Sequence, residues 1–71
     1  MDVLVFKTDL RTKSQLRAVS PIFKHLPVQK WTVDTEDIDK VLRIEAIGQL
    51  TETDVISRIK QKGFYCEALT D

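Results

Sequence analysis

The hydrophobic residues of this chain switch twice from a short strand-like run to a helical period of 3.6, and that order of switches leaves few folds open. Residues 2 to 7 are rich in Val, Leu and Phe with apolar side chains of both parities, which suits a central strand. Thr12 followed three positions later by Gln15 is a capping-box pattern and starts a helix. Leu16, Val19, Phe23 and Leu26 then recur at spacings of three and four, with Arg17 and Lys24 off the stripe. Pro21 falls inside the stripe, where a proline costs about 3 kcal/mol. A kink near Ser20 is expected, or a break in which Ser20 caps a second short helix that opens with Pro21.

Pro27 ends the helical run, and Val28 to Asp34 alternates as a half-buried strand containing Trp31. Thr35 to Asp39 is polar and acidic and reads as a hairpin loop. Lys40 to Ala46 alternates again, with Leu42, Ile44 and Ala46 on one face. After Gly48, Thr51 with Asp54 marks a second helix start, and Leu50 and Val55 occupy the positions of a hydrophobic staple. Val55, Ile56 and Ile59 form its buried stripe, Arg58, Lys60 and Lys62 complement the C-terminal dipole, and Gly63 suits a left-handed cap. Phe64 to Leu69 completes the chain as a fourth strand. The order βαββαβ predicts one α+β domain over residues 1–71. Its architecture is ferredoxin-like, a four-stranded antiparallel sheet with two helices on one face.

At 71 residues the chain is near the lower size at which a core sustains itself, and its single cysteine, Cys66, allows no internal disulfide. The core alone must hold the fold. Eleven basic residues balance eleven acidic ones, so no net field draws in nucleic acid or anionic lipid. The first residues lack the basic start and long apolar core of a secretory signal, and no stretch approaches the ~20 apolar residues of a membrane span. A cytoplasmic setting follows as the expectation.

The spacing also resembles the heavy-metal-associated domains, the family of the copper chaperones. The residues that carry the likeness are Thr8, then Leu16, Val19 and Phe23 after Thr12, then Val28, Trp31, Val33 and Asp34, and finally Lys62-Gly63-Phe64. The resemblance implies two thiolates three positions apart at the end of the first strand, holding a soft metal. Those positions carry Asp9 and Thr12, and Lys7 stands where the family usually has Met. A carboxylate and an alcohol suit Cu(I) poorly. The expectation is a member with a degenerate site that binds no metal and carries no cofactor.

Cys66 alternates with Phe64 and Ala68 and reads as a small buried hydrophobe; His25 stands at a helix end where a cation suits the dipole. The run Asp34, Glu36, Asp37, Asp39 lacks the Gly and later Glu of a calcium loop. Thr12 as a helix cap, with Asp9 ending the strand, is the plain alternative to a functional pair. Trp31 reads as a core anchor, and the sheet lacks the displayed aromatic pairs of an RNA platform. With only two glycines and no nucleophile, base and acid constellation, catalysis is not expected.

If Val3 and Val5 face the helices, Leu4 and Phe6 lie on the open sheet face with Val41, Tyr65 and Leu69, an apolar patch that implies association. The sequence thus points to a protein interaction or homodimerisation module. Two other readings stay open: weak or intermolecular metal binding through Cys66 or His25, and a small-ligand regulatory domain, although that type usually has a Gly-rich turn after its first strand.

Overall fold

The chain is described by a computed structural model covering residues 2–69. Six elements follow one another: β1 (Asp2–Thr8), α1 (Lys13–Lys24), β2 (Val28–Val33), β3 (Leu42–Ala46), α2 (Glu52–Gln61) and β4 (Cys66–Ala68). The strands form one antiparallel sheet in the order β2-β3-β1-β4, so β1 and β3 are central and β2 and β4 are edges. This is the ferredoxin-like arrangement expected from the strand and helix pattern, with a third strand that begins at Leu42 instead of Lys40 and a fourth half the expected length.

Each helix starts where its capping residues place it. Thr12 Oγ1 accepts from the Gln15 N–H at 3.2 Å, and Gln15 Oε1 accepts in return from the Thr12 N–H at 3.1 Å. Thr51 Oγ1 accepts from the Asp54 N–H at 3.1 Å, with Leu50 and Val55 buried on either side of the cap. α2 ends in a Schellman turn: the Gly63 N–H donates to Lys60 O, the Phe64 N–H donates to Ile59 O, and Gly63 has φ of 90°. α1 runs unbroken through Pro21. Of the two outcomes expected at Pro21, the break with a second helix capped by Ser20 does not occur, because Val19, Ile22 and Phe23 on either side of the proline are all buried and hold one helical stripe against the sheet.

The core is a single cluster built from Phe6 and Leu10, the α1 residues Val19, Ile22 and Phe23, the β3 residues Leu42, Ile44 and Ala46, and Leu50, Val55, Ile59 and Cys66. The expected phase of β1 is reversed. Phe6 is fully buried, Leu4 packs against the core, and Val3 is 52% exposed on the other face. The physical reason is register: Phe6 lies opposite Leu42 and Leu4 opposite Ile44, and residues paired across antiparallel strands share a face. Once β3 turns Leu42 and Ile44 inward, Leu4 and Phe6 must follow.

Candidate functional site

The loop between β1 and α1 occupies the place where the family resemblance locates a metal. Thr8, buried at the end of β1, anchors it: Thr8 Oγ1 donates to Lys40 O at 2.6 Å and accepts from the Leu10 N–H at 3.2 Å. Leu10 is drawn into the core and is fully buried. Asp9, half-buried, accepts from the Tyr65 N–H through Oδ1 at 3.0 Å, which ties the loop to the chain just before β4. Thr12 caps α1, and Gln15 Oε1 also accepts from the Arg11 N–H at 2.7 Å. Both positions expected to be degenerate ligands therefore have main-chain partners, one across the sheet and one within the helix.

The donor set does not fit a soft metal. It offers one carboxylate and one hydroxyl, each engaged by a backbone N–H. Lys7 projects from the face opposite Phe6 and Thr8, and its ammonium lies 3.5 Å from Asp39 Oδ1. Among the described residues no three His, Cys, Asp or Glu side chains converge as a metal would need.

The hairpin beside this loop is organised by its own acids. Asp34 Oδ1 accepts from the Glu36 and Asp37 N–H groups at 3.2 Å each, and Asp37 Oδ1 accepts from the Asp39 N–H at 2.7 Å. These are Asx turns, and they engage one oxygen of the Asp34 and of the Asp37 carboxylate with the backbone. Lys40 follows at φ of 45°, a left-handed conformation unusual for lysine, held there by the bond from Thr8 to its carbonyl.

Cys66 is buried and pairs with Thr8 across β1 and β4. Burial pushes its thiol up to about 11, a change that Lys60 opposes only in part, so the sulfur is protonated at neutral pH and a poor ligand. His25 is the exposed C-cap of α1, its N–H donating to Ile22 O at 3.2 Å. It shares a surface cavity of about 290 Å³ with Arg58 and Lys62, cations that oppose a metal ion. Trp31 is half-buried and meets Phe23 with ring centroids 4.6 Å apart.

The open face differs in membership from the expectation. Val41, Tyr65 and Leu69 are at least partly exposed, whereas Leu4 and Phe6 are on the helix side and are replaced by Val3 and Val5. The Leu69 N–H donates to Val5 O at 2.9 Å, which places these two side by side. Charges interrupt the patch: Arg43 pairs with Val5, Glu45 with Val3, and Glu67 with Lys7. The Tyr65 hydroxyl donates to the Glu67 carboxylate, and that bond, with some desolvation, raises the phenol above its ordinary range. Apolar residues of both parities in β1 concealed this phase in the sequence; the buried plug at Leu10 had no signal beyond one apolar residue between polar neighbours.

No known family profile matches the chain, and no curated protein matches it in sequence. Its fold is similar to the yeast copper transporter domain Ccc2a, whose solution structure was determined in the apo and Cu(I)-loaded states. The TM-score is 0.79 at 15% identity, over 97% of this chain and 96% of that one. The solution structure of the Atx1-Cu(I)-Ccc2a complex matches with the same TM-score, identity and coverage.

Proposed function

We propose that this chain is a non-catalytic protein-interaction module on the fold of copper-transporter domains, with its soft-metal site degenerate. The observation that carries the reading is the commitment of Asp9 to the Tyr65 N–H and of Thr12 to the α1 cap. A position engaged in holding the fold has been released from holding a cargo ion. The interaction surface in this reading is the open sheet face at Val3, Val5, Val41, Tyr65 and Leu69, and its partner is a protein or a second copy. The complex of two such domains among the structural neighbours supports association between protein surfaces as a use of this fold.

A second reading keeps metal binding, with ligands drawn from two chains, and the likeness to a Cu(I)-loaded domain favours it. Through Cys66 it requires the thiol to leave its buried place beside Thr8 and lose its proton, and through His25 it requires an ion beside Arg58 and Lys62. Titration with Cu(I) against a competing chelator separates the two. The proposal expects no stoichiometric uptake, and tight binding of one ion per chain or per pair of chains would overturn it.

A further inference from the structure

The two edges of the sheet are unequal. β4 offers only three residues, Cys66–Ala68, whereas β2 presents Val28–Val33, and from Lys30 to Val33 its register with β3 is regular. The direction of the free main-chain groups follows from one bond. The Asp34 N–H donates to Val41 O, so Asp34 points its peptide groups toward β3. In an antiparallel ladder successive residues alternate, so Thr32 also points inward, and Trp31 and Val33 direct both N–H and C=O to the free edge. Such an edge is a template for another strand, and natural proteins normally blunt it.

We propose that this edge pairs with the same edge of a second copy, antiparallel about a two-fold axis, with Trp31 opposite Val33, Thr32 opposite Thr32 and Lys30 opposite Asp34. The register is singled out by self-complementarity. It uses both outward main-chain groups of Trp31 and Val33 in each copy. It sets two exposed threonines together, and it places an ammonium against a carboxylate at both ends of the pairing, each a favourable cross-strand combination. Lys30, Thr32 and Asp34 share the open side of the sheet, while Trp31 and Val33 share the helix side. On the helix side the edge borders a cavity of about 370 Å³ where Phe23, Leu26, Val28 and Trp31 lie among the polar Ser20, Lys24 and Gln29, and pairing brings the same mixed groove of the second copy alongside. The contact is isologous and closes at two chains.

This dimer uses a different surface from the open-face patch, and the two are separable by experiment. Sedimentation of the chain over a wide concentration range is expected to show a monomer–dimer equilibrium. Lys30→Asp and Asp34→Lys each place like charges at both ends of the pairing and weaken the dimer by roughly tenfold. Mixed in equal amounts, the two variants restore every opposite-charge pair, and the dimer mass returns. Val33→Pro removes an outward N–H that makes no bond within the sheet, so it abolishes the dimer while far-ultraviolet circular dichroism stays native. Val5→Lys leaves this dimer intact. A monomer at every concentration would overturn the inference, as would a dimer indifferent to Lys30→Asp and Val33→Pro. Dissociation by Val5→Lys alone would move the contact to the open face, sinking this inference while keeping the interaction reading.

Discussion

The two loops that lead from a strand into a helix perform the same task by different means. Between β3 and α2 the chain relies on packing: Leu50 and Val55 bracket the Thr51 cap, and a Cβ on Gly48 would come within 3.3 Å of Pro27. Between β1 and α1 packing is joined by a web of polar contacts. Leu10 is buried, Thr8 bonds Lys40 and Leu10, Asp9 bonds Tyr65, and Lys7 faces Asp39. The more heavily tied loop is the one where the resemblance to heavy-metal-associated domains would place metal ligands. In the proposed reading, a loop fastened to both neighbouring segments serves the fold instead of an ion.

Breaking the first loop at its plug has the largest expected effect. Leu10→Ala leaves a cavity in the core and costs about 3 kcal/mol, read as a lower urea midpoint, whereas the same change at the slightly exposed Leu50 costs about 2 kcal/mol. Next comes pH. Below the ordinary thiol range Cys66 is protonated in both folded and unfolded chains, so its burial then costs nothing in ionisation. Because its folded value is raised to about 11, the folded state binds more protons than the unfolded state as pH climbs from about 9, and stability falls through that window. The loss amounts to about 2 kcal/mol by pH 11, and Cys66→Ala removes this pH dependence although it lowers stability overall. The caps are smaller. Thr12→Ala and Thr51→Ala each cost about 1 kcal/mol, since each removes one hydroxyl acceptor from the third helical N–H. Asp9→Ala has the smallest effect, about 0.5 kcal/mol, because the Tyr65 N–H it frees can turn to water. Its signature is faster exchange of the Tyr65 amide.

Much of this architecture was legible because it is local. Thr12 with Gln15, Thr51 with Asp54, and Lys62 before Gly63 each fix a helix boundary within one turn of chain, and all three appear where the spacing puts them. What was not legible depended on partners distant in sequence. The facing of Phe6 is decided by Leu42, the role of Asp9 by Tyr65, and the conformation of Lys40 by Thr8. Pro21 is the instructive exception among local signals. A penalty at one residue yielded to the burial of Val19, Ile22 and Phe23 around it. The absence of a thiolate pair was visible from a single cysteine and the Thr12 cap from its spacing to Gln15, but only the folded loop shows Asp9 engaged by the Tyr65 N–H.

In the proposed reading, Asp9 and Thr12 serve the fold and do not ligate a metal. Amide hydrogen exchange at Tyr65 and Gln15, measured under reducing conditions with and without one equivalent of Cu(I), tests it directly. Unchanged protection at both amides is the predicted result. Loss of protection at either on adding the ion, with Cu(I) retained by the chain, would contradict it.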